Sequence, residues 1–169
     1  MHTQTATVPH QHDSLDGFNV TKLPIDRESI RSRRLLRMIE LIEVLRTPDN
    51  DRTIWQMLLD AGANPDFILL RDCDDETRHG RRPAIQLNVN TAKLQGFLLL
   101  THNSDDTGYK ILLQAQGASI PHVTEENVVV RKLAAVLFDL VDDGTKRVTV
   151  PTNALSSNAI IAGDYLLAP

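Results

Sequence analysis

Residues 26–46 read DRESIRSRRLLRMIELIEVLR and form the longest uninterrupted periodic segment of the chain. Apolar side chains recur in it at the spacing of an α-helix, about 100° per residue. They fill roughly half of the helix circumference, and Leu36 and Val44 extend the apolar arc further. A surface helix usually shows an apolar stripe only a little over ~100° wide. Two alternatives therefore stay open. The helix is either buried on most sides within its own fold, or it also forms a homodimer interface.

The ends of this helix are indicated by Asp26, a suitable N-cap, and by Pro48, which cannot continue a helix. Arginines crowd its N-terminal end, where the helix dipole disfavours cations. They are Arg27, Arg31, Arg33, Arg34 and Arg37. Either this is a solvated basic face, or an acidic partner, an intramolecular carboxylate or a phosphate offsets the charge.

Strand patterns follow a shorter helix predicted at residues 53–61, which should end at Gly62. Residues 67–70, 84–90, 94–101 and 109–115 are predicted strands. Residues 84–90 alternate strictly between apolar and polar side chains, as a half-buried antiparallel strand does. Residues 97–100 are apolar on both faces, so we expect part of the sheet to be covered on both sides.

A second long helix is predicted from a cap at Thr124 to Gly144, with Glu125 and Glu126 in its first turn. Two short strands should follow at 147–150 and 160–167, and the apolar C-terminus should be docked. Residues 1–25 read as a flexible N-terminal arm before a single domain at 26–169. The element order predicts an α+β fold, with an antiparallel sheet of about five strands packed with two long and one short helix.

The composition limits the classes of function. The chain has 169 residues and a net charge of −4, so no global field favours nucleic acid or an anionic membrane. A single cysteine, Cys73, excludes an internal disulfide and a thiolate zinc site, and fits a reducing compartment. The N-terminal residues lack a signal-peptide pattern and no stretch resembles a membrane span. We therefore expect a cytoplasmic protein with no membrane contact.

The loop at 71–82 holds the densest set of potential metal ligands. Asp72, Asp74, Asp75 and Glu76 lie there beside Cys73 and His79, but the spacing fails as an EF-hand and supplies too few transition-metal ligands. Its four arginines balance its four carboxylates, which favours a solvated charged loop. Acidic neighbours also disfavour a thiolate at Cys73. No catalytic, nucleotide-binding or metal-binding motif is recognised elsewhere, and we expect no cofactor.

The leading hypothesis is a non-catalytic protein-interaction module: a homodimeric adaptor, chaperone-like or regulatory protein. Its partners would be a second copy of itself and another protein. The expected interface combines the first helix with an apolar face of the sheet. Its residues are Arg33, Leu36, Arg37, Val44, Phe97 and Leu99.

Two alternatives belong to other classes. A nucleic-acid-binding regulator would use the arginine-rich helix at 27–37, through Arg31, Arg33, Arg34 and Arg37. A small-ligand-binding protein or enzyme would hold its ligand in a pocket between sheet and helix, which sequence periodicity does not reveal.

Overall fold

The computed structural model describes residues 21–73, 81–103 and 107–147. Across these ranges a single five-stranded antiparallel sheet has its strands in chain order, so each strand pairs with the next. This confirms the predicted α+β fold. The elements are a 3₁₀ turn at Arg27–Ser29, α1 (Arg33–Val44), α2 (Ile54–Asp60), β1 (Ile68–Arg71), β2 (Ala84–Asn90), β3 (Gln95–His102), β4 (Tyr109–Ala115), β5 (His122–Val128) and α3 (Val130–Val141).

Helix α1 begins at Arg33, so the predicted start at Asp26 is wrong. The Asp26 side chain accepts a hydrogen bond from the Glu28 N–H (3.1 Å) and caps only the 3₁₀ turn. Ser32 is the N-cap of α1, because its hydroxyl oxygen accepts from the Leu35 N–H at 3.2 Å. Asp26 and Ser32 lie six positions apart, and the side chain of either residue is suited to be the N-cap of a helix. The predicted end before Pro48 is confirmed.

Most of the apolar width of α1 is buried within the chain's own fold, including Val44, whereas Leu36 is half-buried. Helix α2 packs against α1, and all seven residues of α2 are buried, including the polar Gln56 and Asp60. The Thr53 and Gln56 side chains close a reciprocal capping box at the start of α2. Seven of the twelve residues of α1 are buried: Leu35, Met38, Ile39, Leu41, Ile42, Glu43 and Val44.

Glu43 of α1 fixes the end of the predicted N-terminal arm, whose residues 1–20 lie outside the described part of the chain. Its carboxylate accepts the Leu23 N–H at 2.7 Å and also pairs with the Arg27 guanidinium. Burial raises the pKa of Glu43, although these two donors partly oppose the rise. Leu23 is itself only 2% exposed, so residues 21–25 belong to the folded body.

The segment at 122–128 is a strand, so the prediction of a helix starting at Thr124 is wrong. It pairs with β4 through Leu112 and Val123, and through Tyr109 and Val128. Its β-branched residues suit a strand, and α3 begins only at Val130. The other four strands are confirmed to within one residue at each end. The strands predicted at 147–150 and 160–167, and the docked C-terminus, lie outside the described residues, Arg147 excepted.

Because successive side chains of a strand point to opposite faces, one set of side chains lies in the core between the sheet and the helices. Leu98 and Leu100 of β3 are each 2% exposed on this side, and Ile111 of β4 is fully buried. The same alternation turns the intervening residues to the other face of the sheet.

A buried ion-pair network joins the helices to one another. The Arg52 guanidinium donates to Asp60 Oδ2 at 2.5 Å and to Asp142 Oδ1 at 3.0 Å. The other Asp60 oxygen accepts the Arg147 N–H at 2.5 Å. Because all these charges are largely removed from water, each needs its partner in place.

Replacing one carboxylate of this network should destabilise the fold. We expect Asp60→Ala to lower the free energy of unfolding by about 3 kcal/mol, because it leaves the buried guanidinium with Asp142 as its only carboxylate in the network and removes the acceptor of the Arg147 N–H. Urea denaturation followed by circular dichroism measures the change. Asp139→Ala, which removes an exposed carboxylate on α3, should change it by no more than about 0.5 kcal/mol. Equal effects of the two substitutions would contradict the assignment.

Candidate functional site

The face of the sheet opposite the helices carries a row of five side chains, one from each strand, of which four are apolar and one, Gln86, is polar. Strand register places its members directly opposite one another: Leu69 with Gln86, Gln86 with Leu99, Leu99 with Leu112, and Leu112 with Val123. Leu69 and Val123 at its ends are 47% and 45% exposed. We call this face the open face and these five residues the apolar row.

A second row lies beside the apolar row on the three central strands. Asn88 pairs with Phe97, and Phe97 pairs with Gln114, so that one aromatic ring stands between two carboxamides. We call these three residues the amide row. All three are half-buried.

The amide row forms part of a pocket of about 390 Å³ at the end of the open face. The Gln114 Nε2 donates to the Ala118 carbonyl at 2.8 Å and closes one wall. None of the described residues lining the pocket carries a charge. It lies away from the helices, whereas the sequence alternative placed a ligand pocket between sheet and helix. That alternative stays a prediction.

The open face concentrates exposed apolar side chains. Across the described ranges, four large hydrophobic residues are markedly exposed. Leu69 and Val123 end the apolar row, Phe67 directly precedes β1, and Ile120 lies in the connection between β4 and β5. Two of the four therefore lie on the open face, one on each edge strand, which makes this face the candidate contact surface.

The interface residues expected from sequence fall into two groups. Phe97 and Leu99 lie on the open face, in the amide row and the apolar row respectively. The α1 residues are less suited to a shared surface. Val44 is only 8% exposed, while Leu36 and Arg37 are half-buried and Arg33 is exposed.

An intramolecular carboxylate offsets the basic end of α1. The two oxygens of Asp72 accept the backbone N–H groups of Arg31 (2.9 Å) and Ser32 (2.8 Å). A carboxylate at this position satisfies unpaired amides and complements the positive end of the helix dipole. Arg31 and Arg33 are exposed beside it, and Arg34 is half-buried. Nucleic-acid binding through these arginines stays a prediction.

Removing this carboxylate should weaken the start of α1. We expect Asp72→Ala to lower the free energy of unfolding by about 1 kcal/mol, in the range of a lost helix cap. Asp26→Ala provides the control, because its carboxylate caps only the exposed 3₁₀ turn, and should cost less than about 0.5 kcal/mol. Urea denaturation measures both values. An unchanged stability of Asp72→Ala would rule out its capping role.

The potential metal loop at 71–82 is described only at its ends. Asp72 is engaged by backbone amides, and Cys73 is half-buried. Within the described ranges, no three His, Cys, Asp or Glu side chains converge as metal ligands would.

A second polar region lies where β3, β4 and β5 end near α1. The rings of His102 and Tyr109 are 4.8 Å apart, and each residue is 1% exposed. Asn103 and Asn127 exchange side-chain and backbone hydrogen bonds beside them, with Asn127 at a φ of +59°. Burial raises the pKa of Tyr109 to about 12, with Arg37 acting weakly in the opposite sense. This geometry brings together no nucleophile and base, and we assign it to the core.

Buried Tyr109 should make the stability sensitive to alkaline pH. The folded state holds the phenolic proton up to a pKa of about 12, above its ordinary value of 10.0. Stability should therefore fall as pH rises from 10 to 12, by about 2 kcal/mol more in the natural protein than in Tyr109→Phe. Urea denaturation at several pH values compares the two. Parallel pH dependence would contradict the burial of the hydroxyl.

Comparison with protein-family models, curated proteins and solved structures finds no match for this chain. Across the described ranges, no helix is long and apolar enough to cross a membrane.

Sequence reasoning found Phe97 and Leu99 but missed most of the open face. The alternation in β2 already separated Gln86 and Asn88 from the core residues, which was the available signal. Leu69, Leu112 and Val123 could be joined to them only through strand register. Val123 was not predicted to lie in the sheet, because most of its strand was predicted to belong to a helix beginning at Thr124.

Proposed function

We propose that this chain is a non-catalytic protein-interaction module that forms a homodimer through the open face of its sheet. The observation that carries the proposal is the apolar row, which runs in register across five strands on the side away from the helices. One face of an antiparallel sheet is commonly solvated and polar. Here one row that crosses it is apolar at four of its five positions, Gln86 being the exception.

The physical reason for association is the cost of keeping this row in water. Each apolar side chain that moves from water into an interface contributes roughly 25 cal/mol per Å² of area. Leu99 and Leu112 occupy the middle of the row, where a packed partner would exclude water most completely. A second sheet is the natural partner for such a flat surface, because sheets stack face to face about 10 Å apart.

The homodimer would act as an adaptor, chaperone-like or regulatory protein that presents its remaining surfaces to another protein. The exposed Arg31 and Arg33 beside the start of α1 offer one such surface. A cytoplasmic location fits the single cysteine, because a reducing compartment does not favour disulfides.

Charge placed in the middle of the apolar row should dissociate the dimer without unfolding the chain. We expect Leu99→Asp to raise the dimer dissociation constant by at least about 30-fold, as truncation of a central interface residue does. Light scattering after size-exclusion chromatography gives the mass, and circular dichroism reports folding. The natural protein should have twice the mass of the chain.

The neighbouring residue supplies a matched control. Leu98→Asp places the same charge on the core face and should unfold the protein. Ala135→Asp, at an exposed position on α3, should change neither mass nor fold. The proposal would be wrong if the natural protein stays monomeric at the highest concentrations tested. It would also be wrong if the Leu99→Asp variant still forms the dimer.

A further inference from the structure

We propose that the two copies pack open face to open face about a two-fold axis that runs along β3, so that Asn88 of one copy pairs with Gln114 of the other. This rests on the proposed function and adds the arrangement of the two copies. It also names the polar contact that would set their register.

The amide row is nearly symmetric about β3. It reads carboxamide, aromatic ring, carboxamide across Asn88, Phe97 and Gln114. The apolar row is apolar at its centre, Leu99, and at both ends, Leu69 and Val123. Its second and fourth members, Gln86 and Leu112, differ, so the amide row is the more symmetric of the two. A two-fold interface brings one patch against itself, so a patch that reads similarly in both directions is self-complementary.

Rotation by 180° about an axis along β3 exchanges the two edges of the sheet. β3 then lies over β3 of the second copy, β2 lies over β4, and β1 lies over β5. Phe97 and Leu99 would each meet their own symmetry mate, because both stand on β3. Two sheets packed in this way cross at about 30°, so the closest correspondence is at the central three strands.

The carboxamides gain partners in this arrangement. The Gln114 Nε2 already donates to Ala118, which leaves Gln114 Oε1 to accept from Asn88 Nδ2 of the second copy. Gln86 lies two residues from Asn88 on the same face of β2 and would lie over Leu112 of the second copy, so its carboxamide gains a partner only by turning toward the Asn88–Gln114 pair. Polar groups enclosed by an interface need such partners.

The charges at the two edges are complementary in the same arrangement. Arg71 on β1 is exposed, and its register position is shared by Ala84, Thr101 and Lys110. Lys110 pairs with Glu126 of β5 at 2.7 Å. With β1 over β5, Arg71 of one copy approaches Glu126 of the other. An axis perpendicular to the strands would instead place β1 over β1 and separate these opposite charges.

The area of the open face reaches the minimum of a specific interface. Five strands at about 4.8 Å spacing and seven residues at about 3.3 Å rise give a face of about 24 by 23 Å. Two such faces together remove on the order of 1,100 Å² from water, above the ~1,000 Å² expected of a specific interface.

Mixing two charged variants tests the axis. Asn88→Lys and Gln114→Glu should each weaken the homodimer by at least about 10-fold, because each places an unpaired charge in the interface. An equimolar mixture should form a heterodimer with an affinity within about 10-fold of the natural dimer, because the two introduced charges, opposite in sign, then face each other across the interface. Native mass spectrometry separates the species, and sedimentation equilibrium gives the dissociation constants.

A second mixture is the control. Asn88→Lys with Gln86→Glu puts both charges on β2, so an axis along β3 keeps them on opposite sides of the interface and no heterodimer should form. A heterodimer in this control but not in the first mixture would overturn the proposal in favour of the perpendicular axis.

The remaining outcomes are also decisive. If the first mixture fails to recover a dimer, or if both single variants dimerise normally, the Asn88–Gln114 contact is wrong. The homodimer itself still stands in that case if Leu99→Asp dissociates it. A monomeric natural protein would instead be a failure of the proposed function.

Discussion

The buried guanidinium of Arg52 is the constraint on which the helical layer depends. It joins the start of α2 to the carboxylates of Asp60 and Asp142, at the ends of α2 and α3. A buried ion pair is favourable only with good geometry and a full set of partners. The relative position of the two helices is therefore narrowly set. A shift of either helix would leave a charge without its partner in a region that water does not reach.

The helical layer in turn determines what the sheet can do. Helices cover one face, where Leu98, Leu100 and Ile111 are almost completely buried. The other face is left with an apolar row and two flanking carboxamides. A sheet that must hold a helical layer on one side has only its second side available for association. That side also carries charge at one end, where Arg71 and the Lys110–Glu126 ion pair lie.

Much of the fold could be predicted because strand and helix periods differ. β2 and β4 have the predicted bounds. In β2, residues 85–90 alternate between apolar and polar side chains, which is a strong local signal. The start of α1 was misplaced because Asp26 and Ser32 are both competent caps, and the choice depends on Asp72, forty residues away. β5 was missed because its valines continue into α3 with only Val129 between the two elements.

The candidate site was harder to predict than the fold. Phe97 and Leu99 were recognisable as apolar residues on the second face of a strand. The apolar row exists only after five strands are aligned, and alignment depends on tertiary packing rather than on local sequence. The same holds for Arg52 and Asp142, which are ninety residues apart in the chain.

The order of the strands has a consequence for how the chain folds during synthesis. Each strand of the sheet pairs with the strand made just before it, so the sheet can grow strand by strand as the chain emerges. Helices α1 and α2 emerge first, yet Asp142 near the end of α3 emerges after every strand. Until Asp142 emerges, Arg52 can pair only with Asp60. The packing of α3 against α2 is therefore completed late in folding. A chain interrupted before α3 would carry a sheet that is largely paired and a helical layer that is not yet locked.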